Sequence, residues 1–199
     1  MPSPIFRAEP LTESLRDGKP QFPRTTVRFP SNVPYIVDNL WEFLRPKDMP
    51  SRRQVIYASP TRELAQANCS GIDKGLGLCV YEVLIDGRSR MAQLKVADAR
   101  DHPDVKAIKK LVQDKIPRVV TATPVARQCA AMLFLPGGTA ADWESVRQSC
   151  PPVTEFIAEA VALSTFWASS TSQHNGTNGE LFVELSPGAS FAAKDLHIY

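Results

Sequence analysis

The sequence predicts an α+β fold with a split, mostly antiparallel sheet and surrounding helices. Helical and strand-like segments are mixed, but they do not alternate in the regular manner of a doubly wound parallel sheet. An Asp86-Gly87 pair between two strand-like runs favours the tight turn of an antiparallel hairpin. The 199 residues show no internal repeat and no clear linker, so we expect a single domain over residues 1–199.

The N-terminal third predicts one strand before the first long helix. Residues 1–30 are rich in proline and predict an extended lead-in with a short strand in PIFRAEPL. SNVPYIVDNLWEFLRP follows with apolar residues at helical spacing, and we expect Ser31 or Asn32 to cap this helix with Pro34 in its first turn. RQVIYAS then predicts a strand, and TRELAQAN predicts a short helix behind it.

The remaining segments predict further strands and helices. LCVYEVLI and RSRMAQLKVA flank Asp86-Gly87 as the two arms of the predicted hairpin. HPDVKAIKKLVQDKI predicts an amphipathic helix, and RVVTAT and AAMLFLP are strand candidates, although VARQCAAMLF also fits a helix. TAADWESVRQSC and VTEFIAEAVALSTFW predict two helices, and the polar loop SSTSQHNGTNG leads to the strand ELFVELS, a Pro187-Gly188 turn and a closing strand from Ser190.

Charge and hydropathy exclude several classes of partner. The 23 basic and 21 acidic residues leave a net charge of +2, too little for a strong nucleic-acid or membrane-surface field. No apolar stretch approaches the roughly 20 residues that a membrane span needs, and MPSPIFRAEPLTES lacks the pattern of a secretory signal. We therefore expect a cytoplasmic protein with neither membrane nor nucleic-acid partner, and delivery as an effector by another export route stays open.

The cysteines and the catalytic motifs give no sign of metal or conventional nucleophile chemistry. Cys69, Cys79, Cys129 and Cys150 are widely spaced, so they predict buried free thiols in a reducing compartment and no metal site. GxSxG, the GxxxxGK[ST] phosphate loop and HExxH do not occur. Among the histidines, only the one in the polar loop, His174, is a functional candidate, since the others fit capping, surface or structural positions.

Tyr57 ends a strand-like run immediately before a Ser-Pro break, with two arginines just upstream. Its ring either packs in the core or forms a platform for a planar ligand. Glu180 and Glu184 lie four residues apart in ELFVE, so an extended strand places both on one face together with Phe182. Two acids on one face fit a cleft, and they equally fit a sheet face open to solvent.

Three segments together resemble the ADP-ribosyltransferase-like superfamily: FRAEPL, VIYASPTRELA and GELFVELSPGASFAA. Its members hold NAD in a cleft of a split antiparallel sheet. They open with a strand carrying Arg or His, present an aromatic residue after a middle strand, and end with a Glu-bearing strand before a turn. The middle segment is also similar to the RES-type NAD-degrading toxins, which pair an early arginine with such a stretch.

Two details place the resemblance within the superfamily. No histidine precedes His102, so the arginine-led branch is the one that applies. SSTS at 169–172 ends only eight positions before Glu180, and we interpret it as part of the loop before the glutamate strand instead of the Ser-Thr-Ser strand of the superfamily.

The resemblance implies roles for individual residues. Glu180 stabilises the positive charge that develops on the ribose when the nicotinamide–ribose bond of NAD breaks, with Glu184 as its rival for that role. Arg7 binds a phosphate of NAD through its two-point fork, and Tyr57 stacks on the nicotinamide. The second-line candidates for phosphate binding are Arg28, Arg52 and Arg53.

The function implied is that of an NAD-dependent ADP-ribosyltransferase-like toxin or effector, which transfers ADP-ribose to a target macromolecule. Its partners would be NAD, a protein target and a cognate immunity or antitoxin protein. A RES-type NAD glycohydrolase or phosphorylase is one alternative. The other is a non-enzymatic immunity or adaptor protein that docks through the helix at 33–45, with Trp41 and Tyr35 as anchors.

Overall fold

The computed structural model describes residues 3–23, 26–29, 32–69, 77–174 and 176–199. Its strands are β1 (Phe6–Pro10), β2 (Ile56–Ala58), β3 (Leu78–Asp86), β4 (Ser89–Gln93), β5 (Leu181–Leu185) and β6 (Ser190–Ile198). Its helices are α1 (Glu13–Arg16), α2 (Tyr35–Phe43), α3 (Arg62–Asn68), α4 (Pro103–Ala122), α5 (Pro124–Met132), α6 (Ala140–Ser149), α7 (Pro151–Leu163) and α8 (Phe166–Ser169). Among these helices, none is both long and apolar enough to cross a lipid bilayer.

Contacts within the chain define two compact units. The first contains all the named strands with α1 and α3, and comprises 1–26, 47–98 and 170–199. The second is helical and comprises 27–46 and 99–169. Helices together with antiparallel sheets confirm the predicted α+β class. The ADP-ribosyltransferase-like arrangement and the single domain over 1–199 stay predictions.

The strands of the first unit form two three-stranded antiparallel sheets, with the orders β1-β3-β6 and β2-β5-β4. Both sheets contribute alternate residues to one hydrophobic core, because successive side chains of a strand face opposite sides. The second sheet contributes Ile56, Ala58, Leu181, Val183 and Leu185 to this core. Residues between these positions, among them Tyr57 and Phe182, therefore face the other side of the sheet.

The predicted hairpin at Asp86-Gly87 is wrong. Strands β3 and β4 do exist, but β3 pairs with β1 and β6, while β4 pairs with β5 in the other sheet. Both edges of β3 are thus occupied, and the chain changes sheet at Gly87. A Cβ atom at Gly87, which has φ +100°, would lie 2.8 Å from the Cβ of Ala189, so the turn residue is set by this close approach.

Two strand candidates in the second unit are also wrong. RVVTAT lies in α4 and AAMLFLP begins in α5, as the helical alternative for VARQCAAMLF allowed. Val119 is buried in α4, and helix α4 packs against α5 and α7. This packing outweighs the strand propensity of the valines, which is worth less than burying the apolar face.

Helix α2 begins later than predicted. Pro34 is its N-cap residue and makes no side-chain capping bond, so Asn32 does not cap it, and Ser31 lies outside the described residues. Trp41 is fully buried, its ring stacks on Phe166 with centroids 3.9 Å apart, and it cannot anchor a docking partner. Tyr35, by contrast, is 42% exposed.

Candidate functional site

An aromatic pair forms the centre of the second sheet on the side facing away from the core. Tyr57 lies directly opposite Phe182 in the pairing of β2 with β5. Their rings meet edge to face, with centroids 5.4 Å apart. Tyr57 is half-buried and Phe182 is fully buried. The tyrosine of the predicted site therefore sits beside an aromatic neighbour whose role the sequence left open.

Glu180 immediately precedes β5, and its backbone is held by the extension of β4. Its N–H donates to the carbonyl of Val96, and its carbonyl accepts from the N–H of Leu94, each at 2.9 Å. Glu180 is only 7% exposed. Because an extended chain rises about 3.3 Å per residue, Glu180 lies roughly 7 Å along the strand from Phe182. Tyr57 and Glu180 thus lie in or beside the paired strands β2 and β5, and their convergence on one cleft stays a prediction.

Gly179 fixes the approach of the chain to Glu180. Its φ of +105° lies in a region of backbone conformation that residues other than glycine avoid. A Cβ atom there would lie 1.8 Å from the carbonyl oxygen of Leu94. The sequence signal for this position was an isolated glycine at the start of a strand, which often marks a close backbone contact.

Glu184 is engaged in contacts that stabilise the sheet. One carboxylate oxygen accepts from the backbone N–H of Ser51 at 2.8 Å, and the other accepts from Arg90 at 2.9 Å. Arg90 lies opposite Glu184 in the pairing of β4 with β5. Both oxygens of Glu184 therefore have a partner in this unit, and the choice between Glu180 and Glu184 as the catalytic residue stays a prediction.

The guanidinium of Arg52 lies close to both rings of the aromatic pair. Its guanidinium carbon lies 5.9 Å from the ring centroid of Tyr57 and 5.3 Å from that of Phe182. The hydroxyl of Tyr57 donates to the carbonyl of Arg52 at 2.6 Å. Arg52 and its neighbour Arg53 are both buried. Sequence reasoning gave Arg52 only a second-line role, because nothing local indicated that its side chain folds back over the strand.

Arg7 is on the opposite side from Tyr57. It pairs with Tyr81 across β1 and β3, and Tyr81 belongs to the shared core, so Arg7 faces that core. One Arg7 nitrogen donates to Glu9 at 2.7 Å, and Glu9 also accepts from the hydroxyl of Tyr81. Burial opposes the charge of Arg7, but Glu9 and Tyr81 raise its pKa above the ordinary value. The guanidinium therefore stays charged.

The remaining candidates are dispersed. The buried Nε of Arg7 has no acceptor within the part of the chain that the structure describes. Arg28 is half-buried and belongs to the second unit. The side-chain Nε2 of His174 lies 3.1 Å from the Gly176 carbonyl. Phosphate binding by Arg7, Arg28 and Arg53 stays a prediction.

The cysteines carry no cross-link. All four are free thiols. Cys79 and Cys150 are buried as predicted, whereas Cys69 and Cys129 are only half-buried, so the prediction was wrong for these two. Burial raises the pKa of Cys69 and of Cys79, so neither is an activated thiolate. Within the described residues, no group of three His, Cys, Asp or Glu side chains could hold a metal ion.

Asp104 forms a second polar cluster that the sequence did not reveal. Its buried carboxylate accepts from the indole N–H of Trp41 at 3.0 Å and from the hydroxyl of Ser164 at 2.7 Å. It also accepts from the backbone and side chain of Thr165 and from the backbone of Phe166. These hydrogen bonds join the start of α4 to α2 and to the 164–166 segment. No sequence pattern could have predicted contacts between segments so far apart in the chain.

A Ser–His–Asp chain runs through this cluster, but its hydrogen bonds have the wrong direction for catalysis. His102 Nδ1 caps α4 by accepting from the N–H of Asp104 at 3.2 Å, which leaves the ring proton on Nε2. Nε2 lies 3.0 Å from the hydroxyl of Ser169, and that hydroxyl donates to the carbonyl of Phe166 at 2.9 Å. A general base needs an unprotonated Nε2, so we assign this chain a structural role. His102 is a capping residue as predicted, but it is buried and not on the surface.

Asp104→Asn should destabilise the protein in a pH-dependent way. Burial alone would raise the pKa of Asp104, but the hydrogen bonds that its carboxylate accepts from Thr165, Ser164 and Trp41 hold the pKa well below its ordinary value. The carboxylate therefore stabilises the fold above about pH 4, and this contribution is lost as the pH falls toward the lower folded-state pKa. We expect Asp104→Asn to lower the free energy of unfolding by about 2–3 kcal/mol at neutral pH, because hydrogen bonds to a charged carboxylate are replaced by hydrogen bonds to a neutral amide.

Urea unfolding of wild type and Asp104→Asn at pH 7 and pH 3 measures this effect. The difference in free energy of unfolding between the two proteins should narrow at pH 3. Asp114→Asn is the matched control, because Asp114 pairs with Lys110 on an exposed surface of α4, and its free energy of unfolding should stay within about 0.5 kcal/mol of wild type. An equal difference at both pH values would contradict the assignment to the Asp104 carboxylate.

Comparison with protein-family models, with curated proteins and with solved structures finds no match for this chain. The interpretation of the site therefore depends on its own geometry and on the chemistry that these side chains support.

Proposed function

We propose that the chain is an NAD-cleaving enzyme of the ADP-ribosyltransferase-like type. The observation that supports this most is the buried carboxylate-bearing residue Glu180, held by Gly179 at the start of β5, about two residues along from the Tyr57–Phe182 pair. A fixed acid beside an aromatic surface is what cleavage of a cationic ring from a sugar requires.

The proposed chemistry assigns one task to each group. The aromatic pair holds the planar nicotinamide ring of NAD, and Glu180 faces the ribose. As the bond between ribose C1′ and the nicotinamide nitrogen breaks, its electrons leave with nicotinamide as a neutral molecule. Positive charge then develops on the ribose, and the carboxylate of Glu180 stabilises it. A water or a nucleophile of a target macromolecule attacks C1′ and loses a proton to complete the reaction.

The partners of the protein depend on whether it transfers ADP-ribose to a target or hydrolyses NAD. Transfer of ADP-ribose to a protein makes the chain a toxin or effector, with its target and a cognate immunity or antitoxin protein as partners. Hydrolysis or phosphorolysis makes it a RES-type NAD-degrading enzyme, for which NAD alone suffices. Both reactions begin with the same bond cleavage at Glu180, so the assignment of the site is common to the two.

Incubating the purified chain with NAD tests the proposal directly. Chromatography should show free nicotinamide accumulating with time, together with ADP-ribose or, when a target-containing extract is added, ADP-ribosylated protein. Phosphate added in place of the extract should yield ADP-ribose phosphate if the reaction is phosphorolysis. Absence of nicotinamide release under all three conditions would overturn the proposed function.

A further inference from the structure

Two of the four cysteines lie side by side in the helical unit. Cys129 belongs to α5, and Cys150 is the residue at which α6 ends and α7 begins. The thiol of Cys129 lies within hydrogen-bonding reach of the side chains of Cys150 and Ser149. Because the two cysteines belong to different helices, the packing of α5 against α6 and α7 brings their sulfur atoms together.

The position of Cys129 on α5 explains why its thiol is both near another helix and open to solvent. Ala126, Ala130 and Leu133 are buried and follow one another on one face of the helix. Cys129 comes three residues after Ala126, so it lies along the same face. It is half-buried, however, and therefore lies at the border of that face. A small reagent can reach this residue without opening the helical unit.

The backbone of Cys150 is held by the helices on either side of it. Its N–H donates to the carbonyl of Val146 at 3.2 Å, and its carbonyl accepts from the N–H groups of Val153 at 3.0 Å and Thr154 at 2.9 Å. Its side chain does not cap α7. The buried thiol therefore has a fixed position, and it can form a new bond without removing a helix cap.

The two cysteines of the first unit have different surroundings. The thiol of Cys69 donates to the carbonyl of Ala8 at 3.0 Å, and the thiol of Cys79 donates to the carbonyl of Glu9 at 3.1 Å. Both thiols are thus bonded to the backbone of β1. Contact between one thiol and another is the feature that sets the pair in the helical unit apart, and it is the arrangement from which a disulfide can form.

We propose that Cys129 and Cys150 form an oxidisable pair, which a peroxide converts into a disulfide that joins α5 to the junction of α6 and α7 and stabilises the helical unit. The thiolate of Cys129 attacks one peroxide oxygen, the O–O bond breaks, and hydroxide leaves while the sulfur becomes a sulfenic acid. The sulfur of Cys150 then attacks the sulfur of Cys129, gives up its proton, and water leaves. The two thiols lose two electrons in total, and the peroxide is reduced to two molecules of water.

The consequence of this bond depends on the surroundings of the protein. In a reducing compartment the pair stays as two thiols, whereas in an oxidising one the cross-link restricts the unfolded chain and so stabilises the folded unit. A small thiol reductant reverses the change. The inference does not depend on the proposed function, since both cysteines lie outside the first unit, which contains Tyr57 and Glu180.

Treatment of the reduced protein with hydrogen peroxide tests the pair, followed by alkylation of the remaining thiols, proteolysis and mass spectrometry. The reaction is run at pH 8, because burial and the neighbouring Cys150 raise the pKa of Cys129 and so lower its thiolate fraction at neutral pH. We expect a cross-linked peptide that joins Cys129 to Cys150, with Cys69 and Cys79 alkylated. The Tm of the oxidised protein should be about 5 °C or more above that of the reduced protein, and dithiothreitol should abolish this rise.

Single substitutions show whether the effect belongs to this pair. Cys129→Ser should lose both the cross-link and the rise in Tm, and Cys129→Ala replaces it if the serine variant does not fold. Cys69→Ser is the matched control, because Cys69 is also half-buried, and it should keep both. A disulfide between any other two cysteines would overturn the inference, as would a cross-link that leaves Tm unchanged. Unmodified Cys129 and Cys150 under conditions that oxidise free glutathione would overturn it as well.

Discussion

Replacing Glu180 by glutamine is expected to lower the turnover of NAD by on the order of 10²–10³ while leaving NAD binding near the wild-type level. The change keeps the size and most of the hydrogen-bonding shape of the side chain, but it removes the negative charge that faces the ribose. A charge that acts on the transition state contributes to turnover more than to binding, and deleting one such group has effects of this size. Nicotinamide release measures turnover, and calorimetry measures NAD binding.

Glu184→Gln is the matched control, four residues along the same strand. Glutamine at 184 loses the ion pair with Arg90 and weakens the bond to Ser51, so a small loss of stability is expected and no large loss of turnover. The reverse pattern, with turnover lost only in Glu184→Gln, would move the catalytic role to Glu184. Full turnover in both variants would exclude the carboxylates of this strand from the chemistry.

Gly179→Ala is expected to cause the largest loss of stability among the single changes considered. The new methyl group would lie 1.8 Å from the carbonyl oxygen of Leu94, and the backbone has φ +105°, so the strand cannot pass β4 as it does now. Displacing a buried backbone segment belongs to the class of changes that cost more than about 4 kcal/mol. For a protein of this size we expect Tm to fall by about 10 °C or more.

Gly188→Ala distinguishes crowding from backbone strain. Gly188 also has a positive φ, +83°, but a Cβ atom there would meet nothing within 4 Å. Gly188→Ala should therefore lower the free energy of unfolding by only about 1–2 kcal/mol, which is the cost of a left-handed backbone for alanine. Thermal unfolding followed by circular dichroism compares the two. A Tm in Gly179→Ala equal to that in Gly188→Ala would contradict the close approach at Leu94.

Short sequence patterns correctly predicted helix starts and the alternation of side chains along a strand, because neighbouring residues determine both. Thr61 and Thr139 cap helices α3 and α6 near the predicted starts of these helices. The alternation in ELFVELS separates Glu180 and Glu184 from Leu181, Val183 and Leu185, and the structure shows that these three lie in the core. The Asp86-Gly87 hairpin failed because a turn signal describes four residues, whereas strand pairing is decided by which strands occupy the edges of β3. That choice depends on β1 and β6, which are distant in sequence.

Only part of the candidate site could be predicted from the sequence, because most of its contacts join segments that are distant in the chain. Tyr57 and Glu180 could be placed together because each ends or begins an apolar strand, and those strands prove to be neighbours. The side on which Arg7 lies follows from its register with Tyr81, which the sequence does not reveal. Arg52 over the rings and the donors around Asp104 are contacts between distant segments, so only the folded chain brings them together.

A crystal structure of the Glu180→Gln protein with NAD tests the location of the site most directly, because the slowed variant should hold the intact molecule. The result we predict has the nicotinamide ring against Tyr57 and ribose C1′ facing position 180. NAD bound elsewhere would contradict the account, as would the absence of bound NAD in crystals soaked well above the measured Kd.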